Sequence, residues 1–299
     1  MISSKPKLSL LLLAFLLTLV LTACAIPIVG DLNPGPTATP TPTSMPTITP
    51  IPLEVSVNGE GITVAEFEAE LARYQQAQTA LGNAVSLKIA TQTVMEDLIN
   101  TLLLAQGAAA NSQAVDDAAV QSRIDALAAQ IGGPAALTAW QSAHGYTEVD
   151  FRSDLRRQMA AARMRDQIAA SVPSTAEQVH VKQILLYNSD AAQQALGYLK
   201  AGWNFDDLAA QYDPVTKGEL GWFPRGYLPE SAIEQAAFAL QAGQFSDVIQ
   251  TRAGYHILFV VERDPAHPLS PDALLTLQER AIQDWLTQQR NESTILFAP

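Results

Sequence analysis

The sequence predicts an α+β protein: an all-α N-terminal domain, a small mixed domain built on an antiparallel sheet, and a C-terminal helix. Three observations predict it. Five alanine-rich patterns with Leu, Ile and Met at helical spacing follow one another between residues 64 and 170, separated by glycines or turn residues. Val172-Pro173-Ser174 then breaks the helical pattern, and HVKQILLY opens a strand pattern over Val179 to Tyr187. Further on, Gly218 to His256 combines turn glycines, one short helical pattern and the start of an aromatic, branched strand run.

In chain order, residues 1–23 read as an export signal. Lys5 and Lys7 precede an apolar run from Leu8 to Leu21 that ends in small residues. The competing reading is a membrane anchor, but the run is short for a hydrocarbon core that needs about 20 apolar residues. Leu21-Thr22-Ala23-Cys24 fits the lipobox at which bacterial lipoproteins are cut, and Cys24 is the only cysteine, so it has no internal disulfide partner. A lipid on Cys24 is the economical reading.

Residues 24–53 form a Pro/Thr-rich tether that cannot bury a core. Its prolines favour an extended spacer of ~3.1 Å per residue. The chain has 18 basic and 30 acidic residues, a net charge of -12, and loss of Lys5 and Lys7 with the signal takes this to -14. That balance gives no footing for nucleic acid and disfavours lying flat on anionic lipid.

Residues 54–172 make the helical domain. A short strand and an Asn58-Gly59 turn lead to Thr63, a helix N-cap with Glu66 as its capping-box partner. Helices are expected over Val64 to Ala80, Ser86 to Ala110, Asp116 to Gln130, Pro134 to Ala143 and Thr147 to Ala170. The second domain spans residues 173–265, with a strand, helices over Asp190 to Ala201 and Phe205 to Tyr212, a helix over Ser231 to Leu240, and a strand over Tyr255 to Val261. Gly218 and Gly221 are expected to flank a tight turn into Trp222 and Phe223. Residues 266–299 hold the last helix, Pro268 to Arg290, whose apolar stripe of Ala273, Leu274, Leu277, Ala281, Trp285 and Leu286 needs a partner. The Asn291-Glu292-Ser293 sequon is read as incidental.

Chemistry has few places to sit. There are four histidines, no metal-spaced cluster, no phosphate loop after a strand and no nucleophile elbow, which argues against hydrolases and cofactor enzymes. No cofactor or metal is expected.

The segments GELGWF, RGYL, AAFAL, AGQFSDVIQT and AGYHI, in this order over about forty residues, closely resemble the core of the parvulin family of peptidyl-prolyl isomerases. VNGEGITVAEFEAEL and GYTEVDFRSDLRRQM resemble the N-terminal chaperone region of exported foldases of the SurA and PrsA type. The resemblance implies a twisted antiparallel sheet flanked by helices, and a last helix that returns to the N-terminal domain. It also implies an isomerase site. The apolar cup would be Leu220, Phe223, Leu228 and Ile233 with Trp222 close by, and the polar set Asp213, Thr251, His256 and Gln183. Leu220 and Trp222 fit a core position equally well, whereas Phe223 and Leu228 flank a Pro/Gly loop that is hard to bury. Asp213 fits a turn before proline as well as a site acid. Gln183 departs from the family, which usually has histidine just before ILL. His180, three residues earlier on the strand, faces the other way and does not stand in for it. His144 and His267 fall in loops and receive no role.

Three functions compete. The first is a lipid-anchored extracytoplasmic foldase with isomerase activity, acting on unfolded or partly folded exported proteins. The second is a holdase chaperone whose parvulin domain binds without catalysis, and the third an adhesive or structural lipoprotein.

Overall fold

Asn58 and Gly59 both adopt positive φ, 54° and 86°, the requirement of a tight two-residue hairpin turn. They join β1 (Leu53–Val57) to β2 (Glu60–Thr63), which bury Val55, Val57 and Ile62. The computed structural model describes residues 52–298. The signal, Cys24 and the tether as far as residue 51 lie outside the described residues, and Leu53, read as the tether's end, already belongs to β1.

Five helices follow: α1 (Val64–Ala80), α2 (Leu87–Ala110), α3 (Asp117–Ile131), α4 (Pro134–Ala143) and α5 (Glu148–Ala170). Capping decides where they start. Thr63, Ser86, Asp116 and Thr147 each accept an N–H three residues on, so these residues stand just outside the helices they open. The capping box at Thr63 is half made. Thr63 takes the Glu66 N–H at 3.1 Å, but the Glu66 carboxylate turns to Arg157 on α5 instead. Val94, Leu98, Ile99, Leu102 and Leu103 of α2 pack against Ala160, Ala161, Met164 and Ile168 of α5 to form the core.

The second sheet contains β3 (Thr175–Leu186), β4 (Glu219–Pro224), β5 (Ile249–Gln250) and β6 (Tyr255–Pro268) in the order β4-β3-β6-β5, every pair antiparallel. Helices α6 (Ser189–Lys200) and α7 (Phe205–Tyr212) cover one face through Ile184, Leu186 and Ile257. On the other, α8 (Ser231–Ala239) packs Ile233, Ala237 and Phe238 over Val179, Val181, Phe223, Leu258 and Val260. Two expectations need correction here. The GELGWF segment is strand β4 with a bulge opposite Val181 and Lys182, not a tight turn, and Gly221 takes the positive φ of 79° within it. The strand read over Tyr255 to Val261 runs on to Pro268, which pairs with Thr175, so a boundary at residue 265 would cut β6.

Helix α9 (Pro271–Glu292) starts after that pairing ends, with Ser270 as its cap. It lies on α2 and α5, burying Leu286 and placing Trp285 over Gly107, where a Cβ would stand 2.7 Å from the indole. One element was not foreseen. Beyond the sequon, β7 (Ile295–Phe297) pairs antiparallel with β1, so the helical region has a three-stranded sheet, β2-β1-β7, closed by its last residues. Among the described residues no helix is long and apolar enough to cross a membrane.

Candidate functional site

The face of the second sheet that meets α8 also presents the polar residues. In the β3–β6 register Leu185 pairs with His256 and Gln183 with Leu258, which makes Gln183 and His256 diagonal neighbours on one face. Their side chains meet, His256 Nδ1 to Gln183 Oε1, at 2.9 Å. On the other side of the ring, Nε2 lies 2.8 Å from the Thr251 hydroxyl. Oε1 of an amide can only accept, so Nδ1 carries the hydrogen and Nε2 accepts from Thr251. Thr251 is fixed in turn, because its oxygen takes the Ala253 N–H at 3.0 Å and its N–H reaches the Gly254 carbonyl at 2.8 Å.

His256 is only 6% exposed, and burial pushes its pKa below the ordinary value, partly opposed by Glu230. The ring is therefore held neutral. Gln183 Nε2 makes no hydrogen bond among the described residues and remains an available donor.

Asp213 does not join this group. Its carboxylate accepts the N–H groups of Val215 at 3.1 Å and Thr216 at 3.0 Å, the Thr216 hydroxyl, and the Gly218 N–H at 3.4 Å. The Thr216 hydroxyl above all holds its pKa below the usual carboxylate value. The turn-aspartate reading is the one the geometry fits, since Asp213 organises the loop that ends at Gly218. Gly218 then takes the Gln183 N–H on its carbonyl, so Asp213 reaches the site only through backbone.

Leu220, Phe223, Leu228 and Ile233 belong to one apolar cluster beside these groups. Phe223 is 1% exposed and edge-on to Phe238 at 6.1 Å, so it is the floor under the site and not a wall facing solvent. Leu220 and Leu228 are the half-buried members that a bound group would meet. Trp222 is not part of the cup. It pairs with His180 on the opposite face of the sheet and stacks between His180, at 5.4 Å, and His267, at 4.1 Å. His267 thus lies in β6 and not in a loop, while His144 stacks on Trp140 far along the chain.

Sequence reasoning missed Glu234. Its Oε2 accepts the N–H groups of Gly226 at 2.8 Å and Leu228 at 3.3 Å, which fixes the loop between β4 and α8 that presents Leu228. An acid in the first turn of α8 is the only signal it gave. Among the described residues no three His, Cys, Asp or Glu side chains converge to hold a metal.

A neutral, doubly hydrogen-bonded histidine beside an apolar floor, on a four-stranded antiparallel sheet joined to a helical unit, is an arrangement that fits a PPIC-type domain attached to a SurA-like one. The PPIC-type PPIASE domain matches residues 171–274, and the SurA-like N-terminal domain matches residues 7–165. The chain belongs to the SurA-like family and bears a PPIC-type domain after its helical region. It is 32% identical over 122 residues to Foldase protein PrsA of Halalkalibacterium halodurans, covering 39% of this chain and 34% of that protein. It is 28% identical over 268 residues to Chaperone SurA of Albidiferax ferrireducens, covering 75% and 57%. Over 89 residues it is 39% identical to the Periplasmic chaperone PpiD of Haemophilus influenzae, covering 28% and 14%. The chain therefore spans less than two thirds of the length of each of these relatives.

Proposed function

We propose that this protein is an extracytoplasmic foldase that accelerates cis/trans isomerisation of Xaa-Pro bonds in unfolded or partly folded exported proteins. The observation that carries this reading is the Gln183–His256–Thr251 chain, in which Gln183 Nε2 has no partner among the described residues, on a strand whose neighbour Leu258 belongs to the apolar cluster with Leu220 and Leu228. Turning an Xaa-Pro bond must overcome a barrier of ~18 to 20 kcal/mol, set by loss of amide conjugation. As the bond twists, the nitrogen recovers a lone pair that the planar amide lacks. A donor placed at that nitrogen binds the twisted form more strongly than either planar form, the condition for catalysis. In this reading Gln183 Nε2 is the donor, and His256 and Thr251 hold its amide in orientation. The proline ring rests on Leu220 and Leu228 above Phe223. No bond is made or broken, so no nucleophile, metal or cofactor is required.

The envelope location follows the kinship with a periplasmic chaperone, and the attachment follows Leu21-Thr22-Ala23-Cys24. A lipid on Cys24 would hold the folded part at a membrane through the proline tether. Cys24→Ala should then abolish incorporation of labelled fatty acid, and no incorporation by the unaltered chain would remove this part of the reading.

The deciding experiment is a cis/trans exchange assay on proline peptides, with the chain beginning at residue 50 so that β1 stays whole. Acceleration over background is expected. A second reading, client holding without catalysis, is favoured by the crevice of about 340 Å³ that Leu98 and Tyr146 line with Glu70, Arg73 and Asp154 in the helical unit. It would take over if the peptides exchange at the uncatalysed rate while aggregation of an unfolded client is still suppressed.

A further inference from the structure

The loop from Arg225 to Glu230 presents Leu228 and is anchored within its own domain. Arg225 lies over the Phe238 ring at 4.0 Å, and Glu234 accepts the Gly226 and Leu228 N–H groups. Another contact comes from α9. A Cβ built on Gly226 would stand 3.0 Å from Arg280 Nη1 and 3.2 Å from Arg280 Cδ, so the arginine side chain rests directly on the Gly226 backbone. Gly226 has φ of 83° there, a conformation that by itself favours glycine.

Helix α9 is not free to follow the loop. Arg290 makes two hydrogen bonds, of 3.0 and 2.8 Å, to the Asn100 side chain on α2. Trp285 is seated over Gly107, Leu286 is buried, and Gln278 reaches the Ala169 carbonyl at the end of α5 at 3.3 Å. Arg280 projects from the stretch between these fixings. It is thus held by the helical unit and bears on the loop of the other.

We infer that Arg280 is a positioning residue for the isomerase site: through Gly226 it sets where Leu228 stands, so that the placement of α9 on the helical unit tunes how a proline ring is received. The inference deepens the proposed isomerase reading and rests on it for its functional half. Arg280 needs no charge partner in the loop for this role. Its own ion pair, with Asp284 at 4.0 Å, lies within α9. What acts is bulk held at a fixed place.

The test uses the chain from residue 50 and reads two quantities, hydrogen exchange at the Gly226 and Leu228 amides and the KM and kcat for a proline peptide. Arg280 is more than half exposed, so Arg280→Ala should fold normally. It should speed exchange at both amides and raise KM about threefold with kcat unchanged, the pattern of a lost binding surface. Arg280→Lys, which keeps the aliphatic stem, should restore most of the difference. Gly226→Ala should cost more in the parent than in the Arg280→Ala background, because truncation removes the overlap, and such non-additivity marks direct contact. Unchanged exchange at both amides in Arg280→Ala, or an equal cost of Gly226→Ala in the two backgrounds, overturns the inference. A parent chain without isomerase activity would sink the proposed function instead, and the exchange data would still decide whether Arg280 holds the loop.

Discussion

Gly218 and Gln183 approach so closely that no side chain fits between them. The Gly218 carbonyl takes the Gln183 N–H at 2.7 Å, and a Cβ on Gly218 would stand 2.0 Å from the Gln183 carbonyl oxygen. With φ of 76°, Gly218 also occupies a region costly to other residues. Gly218→Ala should therefore push β3 and the loop apart and tilt the Gln183 amide away from His256. Isomerase activity is expected to fall at least about tenfold, a loss that ~1.4 kcal/mol of transition-state binding accounts for. Parent-like activity in this variant would show that the loop does not set Gln183.

Asp213 offers a sharper discrimination. If its carboxylate serves only as an acceptor for the N–H groups of Val215 and Thr216, Asp213→Asn keeps an oxygen there and should retain most activity. Asp213→Ala should lose a good part of it as the loop loosens. Equal loss in both variants, measured as kcat/KM, would mean that the charge itself takes part.

His256 predicts a pH dependence of stability. Its folded pKa lies below the ordinary 6.5, chiefly through burial. The unfolded chain therefore takes up the proton first as pH falls, and the unfolded state binds more protons in the window below 6.5. Stability from this residue is complete above that pH and is lost as pH drops toward the folded value. Comparing denaturant midpoints of the parent and His256→Gln should give a difference that is flat above 6.5 and slopes only below it. A slope of the opposite sign, with stability gained on acidification, would contradict the neutral ring.

Phe223 and Leu228 should separate stability from binding. Phe223 is buried in the core between the sheet and α8, so Phe223→Ala should cost about 3 to 5 kcal/mol of folding stability, whatever it does to activity. Leu228→Ala, at a half-buried loop position, should cost ~1 kcal/mol or less and act mainly on KM. Urea titration with peptide kinetics on both variants checks this. A Leu228→Ala chain with parent KM would remove Leu228 from the cup.

Much of this fold was legible because caps are local. Thr63 satisfies a donor three residues away and reads as a cap, whereas Ser86, Asp116 and Thr147 do the same in the structure although the helical spacing places them inside the helices they open. What depended on distant partners was not. Nothing near Ile295 announces that β1 is its neighbour, and Arg263-Asp264-Pro265 does not look like strand until β3 is laid beside it. At the site, His256, Gln183 and Thr251 were readable as a set by resemblance. The side of the sheet that Trp222 takes was readable too, since adjacent strand residues point opposite ways and Phe223 faces the core. Reading GELGWF as a turn hid that alternation. Asp213 showed both of its readings in the sequence, and only the loop geometry distinguishes them.

The pairing of β7 with β1 has a consequence for the order in which the molecule can assemble. All residues of the β3–β6 sheet lie between 175 and 268, so that unit is complete as soon as this stretch has left the ribosome. The helical unit is interrupted by it. Its first strand waits, with one edge unpaired, for residues 295–297, and its α2–α5 seam waits for α9. Closing that long loop costs chain entropy that the finished sheet between its ends reduces, because an ordered insert shortens the flexible span to be closed. The helical unit thus completes its own sheet only once residues 295–297 have been made.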